Sequence, residues 1–148
     1  MSSSLTTSGV IRVNDISGEQ MMLKASSGDV TAKNISSKEL TIQATSGDIA
    51  VNGIDAKQIS VHTTSGDIDG ARVAGFTHLT LEATSGDISL NTRETSFILD
   101  FMSTSGEGEV TVPNFLFEEK TEERIIGNKG EGNHSITVKT TSGDFSFK

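Results

Sequence analysis

Apolar and polar residues alternate along most of this 148-residue chain, and a Ser-Gly pair interrupts the alternation at regular intervals. The glycines of successive pairs are 19, 19, 19, 20, 20 and 37 residues apart. The pairs are Ser8-Gly9, Ser27-Gly28, Ser46-Gly47, Ser65-Gly66, Ser85-Gly86, Ser105-Gly106 and Ser142-Gly143. A fixed period of this length indicates a repeat protein. The last step is nearly two periods, so we expect one repeat to have lost or altered its marker.

The apolar residues keep fixed distances from the glycine of each repeat. Around Gly66, for example, Ile59 and Val61 lie seven and five residues before the glycine, and Ile68 lies two after it. The residues between these positions are mostly polar. This period of two is typical of β-strands with one buried face, and no stretch of useful length has the helical period.

Each repeat therefore supplies two short strands joined by two corners. One such unit cannot bury its apolar face alone, but units stacked with parallel strands about 4.8 Å apart share one core. The sequence predicts an all-β fold: a parallel β-solenoid (a single-stranded β-helix or β-roll) with two facing sheets and about seven rungs of 19–20 residues. In it, Leu40, Ile59, Leu79 and Leu99 form a column. We expect residues 1–148 to be one domain, cut from a longer parent because Thr7-Ser8-Gly9 already falls inside a repeat.

The corner after each Ser-Gly pair is interpreted as a tight turn. Glycine adopts positive φ without steric cost, and neighbouring Ser, Thr and Asp side chains can bond the backbone groups that a turn leaves unpaired. We therefore expect positive φ at the turn glycines, which are Gly28, Gly47, Gly66, Gly86, Gly106 and Gly143. The other corner, for example Lys33-Asn34-Ile35, is expected to be looser.

Residues 113–132 break the pattern. Pro113 cannot donate a hydrogen bond to a ladder, and the apolar Phe115-Leu116-Phe117 is followed by the charged segment 118–124. We expect an irregular insertion, a loop or an edge hairpin that caps the solenoid and protects an edge from pairing with other chains. Phe115-Leu116-Phe117 could instead be a docking patch.

Charge and composition limit the possible partners. The chain has 12 Lys and Arg against 20 Asp and Glu, a formal net charge of −8. This argues against binding nucleic acid or an anionic membrane and favours cationic partners, metal ions or solubility alone. There is no Cys for a disulfide or a thiolate site, and no apolar run is long enough for a transmembrane segment. Because His62, His78 and His134 stand at different offsets from their glycines, we expect no shared face and no zinc site.

The most conspicuous candidate site is an acidic row at the residue after the glycine. It comprises Asp29, Asp48, Asp67, Asp87 and Glu107, with Asp144 at the same offset in the last repeat. In a stack these carboxylates would lie about 5 Å apart, so their repulsion must be relieved. Solvent and backbone N–H groups of the turn would do this. A cationic ligand or weakly bound Ca²⁺ would do it as well, although the chain lacks the repeat of the calcium-binding β-roll.

The Thr-Ser-Gly-Asp-Ile units, together with Gly106-Glu107-Gly108-Glu109-Val110-Thr111-Val112-Pro113 and Thr141-Ser142-Gly143-Asp144-Phe145, resemble a bacterial β-strand-repeat adhesin family. This family is a domain of unknown function and includes the C-terminal domain of LiaX-type cell-envelope stress proteins of Gram-positive bacteria. The resemblance covers nearly the whole chain. It implies a β-solenoid with a binding role at the cell surface or envelope, and it carries no catalytic motif.

We therefore expect a non-enzymatic, adhesin-like interaction module with no catalytic residues, no cofactor and no dedicated metal site. Its partner would be a protein, a cationic peptide or another domain of the parent chain, and not nucleic acid. The resemblance places it at the bacterial cell envelope, with the cytoplasm as the alternative. Two other functions stay open: a carbohydrate-active β-helix enzyme, for which Glu118, Glu119, Glu122 and Glu123 could supply paired carboxylates, and a structural spacer.

Overall fold

The computed structural model describes residues 2–7, 9–92, 96–111, 115–121, 123–130 and 134–147. These residues form β-strands, turns and bends, and no helix. The strands are β1 (Ser2–Thr7), β2 (Ile11–Ser17), β3 (Gln20–Ser27), β4 (Val30–Ser46), β5 (Ile49–Ser65), β6 (Ile68–Ala74), β7 (His78–Ser85), β8 (Ile88–Thr92), β9 (Phe97–Ser103), β10 (Gly108–Val110), β11 (Leu116–Lys120), β12 (Arg124–Lys129), β13 (Ser135–Ser142) and β14 (Phe145–Phe147). The predicted all-β class is confirmed for the part described.

The described strands belong to one curled, 14-stranded sheet. The expectation of two separate facing sheets is not met in that form, because β4 and β5 each run 17 residues without a break through the corner that was expected to divide them. A β-solenoid-like stack is nevertheless present, since successive repeats pair in parallel and in register, as Val30 does with Ile49 and Leu40 with Ile59.

The strands before each glycine form the pre-glycine ladder, and those after it form the post-glycine ladder. The pre-glycine ladder runs β1, β3, the second half of β4, the second half of β5, β7, β13 and β9. The post-glycine ladder runs β2, the first half of β4, the first half of β5, β6, β8, β14 and β10. Side chains from both ladders share one apolar core.

The predicted apolar column is present but has one more member. Leu40 pairs with Ile59 and Ile59 with Leu79, and all three are at most 3 % exposed. Leu79 then pairs with Ile136, which in turn pairs with Leu99. A residue from the last repeat therefore lies between two members of the predicted column.

The last repeat is inserted into the stack. Strand β13 pairs with β7 on one side and with β9 on the other, and β14 lies between β8 and β10 in the same way. The long step from Gly106 to Gly143 therefore reflects an excursion of the chain between two neighbouring rungs, and the prediction of a repeat that has lost its marker was wrong. The aromatic rings of this region stack across the insertion, Phe101 on Phe145 at 5.0 Å and Phe97 on Phe147 at 5.2 Å between centroids.

The turn glycines lack the predicted positive φ. None of Gly28, Gly47, Gly66, Gly86, Gly106 and Gly143 lies in the left-handed region. They are required because successive corners stack backbone on backbone: a Cβ on Gly66 would lie 2.7 Å from the carbonyl carbon of Gly47. No side chain fits at that distance, so the stacking of the corners excludes every residue that has a Cβ.

The left-handed conformation occurs at the other corner, the one expected to be looser. Asp15, Asn34 and Arg72 have φ between 53° and 57°, and Gly53 has φ of 69°. These four residues are 19 positions apart, so they align in the stack. Asp, Asn and Gly adopt this conformation more readily than other residues, which makes Arg72 the unexpected member.

The insertion at 113–132 contains the predicted edge hairpin. Strand β12 pairs antiparallel with β9, and β11 pairs antiparallel with β12 and forms the edge of the described sheet. A Cβ on Gly127 would lie 2.7 Å from Cζ of Phe115, so the phenyl ring packs directly on this glycine. Ile125 is fully buried, and Phe115 is half-buried with its ring 6.1 Å from that of Phe97. The hairpin therefore covers this end of the core.

Candidate functional site

The acidic row predicted from the sequence is present, in the order Asp29, Asp48, Asp67, Asp87, Asp144, Glu107. Stacked glycine corners position it, because each of these residues directly follows a corner glycine. All six side chains are exposed. Asp144 stands between Asp87 and Glu107 because its repeat is the inserted one, and the sequence order alone did not predict this.

Each carboxylate of the row except the last accepts a hydrogen bond from the backbone of the next acidic residue. The N–H of Asp48 donates to Oδ1 of Asp29 at 3.0 Å, and the N–H of Asp67 donates to Oδ1 of Asp48 at 2.9 Å. The same contact repeats to the N–H of Glu107, which donates to Oδ1 of Asp144 at 3.0 Å. This confirms that backbone N–H groups bind the row and fix the orientation of its carboxylates.

The hydrogen bonds offset part of the repulsion but leave a strong negative field. Two unit charges about 5 Å apart repel by roughly 0.8 kcal/mol in bulk water, and by more near a protein surface. Each Oδ1 faces an N–H dipole, while the exposed side chain leaves the second oxygen to solvent or a partner. The result is a line of evenly spaced carboxylates held in one orientation.

The two ends of the acidic row differ in the residues that adjoin them. In the first repeat Val10 takes the place of the acidic residue and is 57 % exposed, so the row starts at Asp29. At the other end, Glu107 and Asp144 line an open hollow of about 430 Å³ together with Glu123. Glu123 lies just before β12, so the hairpin adds a third carboxylate to this end of the row.

The described residues contain no group of three His, Asp or Glu side chains placed to hold a metal ion. The expectation of weak Ca²⁺ binding along the row stays a prediction, which a thermal melt at millimolar calcium would check. His62 and His78 both lie on the outer face of the sheet in neighbouring rungs, contrary to expectation. They stand in different outward rows of that face, because His62 pairs with Glu82 and His78 pairs with Gln58. His62 contacts Glu82 at 3.9 Å.

Three of the four carboxylates that could serve an enzyme on the insertion are described, and their surroundings differ. Glu118 and Glu119 are exposed on β11, and Glu119 contacts Arg124 at 3.8 Å. Glu123 lies in the hollow at the end of the acidic row. Glu122 lies outside the described residues. The described part of the insertion thus shows a solvated charged hairpin.

Sequence reasoning missed one polar residue, Asp100 on β9. Its Oδ1 is shielded from solvent, and no group in the described part of the chain donates a hydrogen bond to it. The same outward row holds Thr80 and Thr137 in the preceding strands of the ladder. A carboxylate in a row of hydroxyl side chains was the available signal, since Asp100 and Thr80 both lie six residues before the glycine of their repeat.

In the part of the chain that the structure describes, no helix is long and apolar enough to cross a membrane. No curated protein and no solved structure matches the chain. A family model does match, and it covers residues 2–148. This coverage includes every strand of the stack, the hairpin and the whole acidic row. The chain therefore belongs to the Toastrack DUF4097 family, a domain of unknown function.

Proposed function

We propose that this chain is a non-enzymatic interaction module whose acidic row binds a cationic segment of a partner protein. The observation that carries the proposal is the fixed orientation of the row, in which Oδ1 of each Asp accepts the next backbone N–H at 2.9–3.0 Å. A ligand that binds there meets carboxylates already held in place by the backbone, so these side chains lose little conformational entropy on binding.

The spacing of the row favours an extended basic segment. Carboxylates about 4.8 Å apart in one line match neither a compact metal site nor the two opposed carboxylates of a glycosidase. An extended chain rises about 3.3 Å per residue, so Lys or Arg side chains from such a segment can reach successive carboxylates. The formal net charge of −8 adds long-range attraction for such a ligand.

The proposed setting is the bacterial cell envelope. It is supported by the likeness of the Thr-Ser-Gly-Asp-Ile units to the bacterial adhesin-type repeats that include LiaX-type stress proteins. The cationic segment would then belong to an envelope protein, a cationic peptide or another domain of the parent chain.

The test is the binding of an octalysine peptide, measured by calorimetry at several salt concentrations. A variant with Asp48→Asn, Asp67→Asn and Asp87→Asn keeps the oxygen acceptors of the corners and removes three charges. We expect it to bind the peptide roughly tenfold more weakly, because three exposed ion pairs are lost.

The matched control removes three exposed carboxylates outside the row, by Glu39→Gln, Asp69→Asn and Glu82→Gln. We expect this control to change the affinity by less than about threefold, since only the general field of the protein is altered. Equal losses of affinity in both variants would show that the peptide responds only to the net charge of the protein, and this would contradict the proposal. Absence of binding to the unmodified chain would also overturn it.

A further inference from the structure

The outer face of the pre-glycine ladder exposes several apolar side chains where β13, β9 and β12 lie side by side. Earlier in the ladder, most outward positions hold polar residues such as Ser60 and Thr80, and Met22 of β3 is an exposed exception. On β9, Ile98 and Met102 point outward and are 45 % and 42 % exposed. Ile126 of β12 faces the same way, because it pairs directly with the outward residue that lies between them. Three apolar side chains are therefore grouped in a patch on a face whose other exposed large apolar residue, among those described, is Met22 of β3.

Asp100 lies at the centre of this patch. It stands between Ile98 and Met102 along β9, and between Ile126 and Thr137 across the sheet. Its Oδ1 is shielded from solvent, and none of the residues that the structure describes donates a hydrogen bond to it. A shielded acceptor without a donor is energetically costly. Because the Asp100 carboxylate as a whole is only half-buried, a cation docked over it from outside would stabilise its charge.

A suitable cation stands on the same face. Lys139 is exposed and pairs with Met102 across the sheet, so it lies diagonal to Asp100 at about 7–8 Å. Both side chains are described, and no ion pair joins them. The nearby Arg124 is already in contact with Glu119.

We propose that this patch, formed by Ile98, Asp100, Met102, Ile126 and Lys139, is a self-association surface that docks against the same patch of a second copy of the chain. A two-fold axis lying in the interface between Asp100 and Lys139 puts each lysine over the carboxylate of the other copy. The exposed apolar side chains then pack between the two sheets.

Charge complementarity selects a second copy as the occupant. Two copies that each carry a net charge of −8 repel one another over most of their surfaces. Arg124 and Glu82 border the patch, and Arg124 is in contact with Glu119. Among the described residues, Asp100 and Lys139 are the charges of the patch that no ion pair joins, and they complement each other under two-fold symmetry. The surface is separate from the acidic row, and the inference does not depend on that row binding a peptide.

The experiment measures the molar mass of the chain in solution by sedimentation equilibrium over a wide range of protein concentrations. We expect the unmodified chain to pass from monomer to dimer. Lys139→Asp and Asp100→Lys should each raise the dissociation constant of the dimer at least about tenfold, because like charges then face each other. The two substitutions combined should restore dimerisation, since opposite charges again face each other with their positions exchanged.

The matched control is Lys24→Asp, which makes the same charge change in the same outward row, on β3. It should leave the dissociation constant unchanged. If a charge-reversed variant fails to fold by circular dichroism, Met102→Gln replaces it and should also weaken the dimer.

A chain that stays monomeric at every concentration, or a dimer that these substitutions do not weaken, would overturn the proposal. Octalysine binding by the Lys139→Asp variant should match that of the Lys24→Asp variant. The two measurements therefore separate failure of this surface from failure of the acidic row.

Discussion

At the scale of single residues, the two corners of a repeat restrict the residue that turns the chain for different physical reasons. At the corner that follows Ser-Gly, stacked backbones leave no space for a Cβ, as between Gly66 and Gly47. At the other corner, the chain turns through the left-handed region, which Gly53 shares with Asn34. The first requirement is steric and comes from the neighbouring rung, whereas the second is conformational and comes from the residue itself.

Substitution by asparagine distinguishes the two requirements. Gly53→Asn should cost less than about 1 kcal/mol of unfolding free energy, because Asn tolerates the left-handed region and the atom it would meet is the side-chain Oδ1 of Asn34. Gly66→Asn should cost about 3 kcal/mol or more, because its Cβ meets fixed backbone. Urea denaturation followed by circular dichroism measures both values. Equal costs would mean that the corner glycines are needed for their φ after all.

Much of the residue-level pattern could be predicted from the sequence. The period of two and the glycine spacing correctly predicted the register of Leu40, Ile59 and Leu79. The 19-residue spacing of Asp15 and Asn34 could also have indicated the left-handed corner, but two residue types alone do not separate a left-handed turn from a loop. The missing donor of Asp100 could not be predicted, because it depends on which strands flank β9.

At the scale of the elements, the hairpin of β11 and β12 ends the parallel stack by turning antiparallel. Its edge strand β11 is short, carries Glu118, Glu119 and Lys120, and has a register shift between Phe117 and Glu119. Charges and bulges on an edge hinder pairing with further strands. The sequence predicted this hairpin from the break in periodicity, but not that Phe115 would close the core by packing on Gly127.

The capping role of Phe115 can be tested by truncating its side chain. Phe115→Ala should cost about 2 kcal/mol of unfolding free energy, because a half-buried ring that contacts Phe97 and Phe117 is lost. The neighbouring Leu116→Ala is the control, since Leu116 is 66 % exposed and its removal should change the free energy little. Both are measured by urea denaturation, and a larger loss for Leu116→Ala would contradict the assignment of Phe115 as the cap.

At the scale of the whole molecule, the order of the rungs departs from the order of the sequence. The sequence could not predict this, because Ile136 and Val138 fit the apolar columns equally well beside β9 alone or between β7 and β9. A repeat pattern specifies how rungs stack but not which rungs are neighbours. The insertion makes β9 depend on contacts with a strand from the far end of the chain.

This topology predicts refolding in two steps. The amides of β3, β4 and β5 should gain protection from hydrogen exchange first, because each pairs with a strand of the next repeat. Those of β13 should follow, since long-range pairing closes a larger loop. Pulse-labelled exchange measures this order, and Pro113→Ala removes prolyl isomerisation as the cause of a slow phase. Protection of β13 at the same time as β4 would contradict the expectation.

The insertion of β13 between β7 and β9 also constrains how the protein is made. Strand β9 begins at Phe97 and β13 at Ser135, so synthesis of β9 starts 38 residues before that of β13. At about 5–20 residues per second, the nascent chain contains β9 for roughly 2–8 s before its proper neighbour has been translated. During that interval Leu99 of β9 can match Leu79 of β7, because the two differ by one ordinary repeat. Any pairing of β9 with β7 that forms in this interval has to break before β13 can insert between the two strands. A folding factor that holds β9 away from β7 would therefore raise the yield of correctly folded protein.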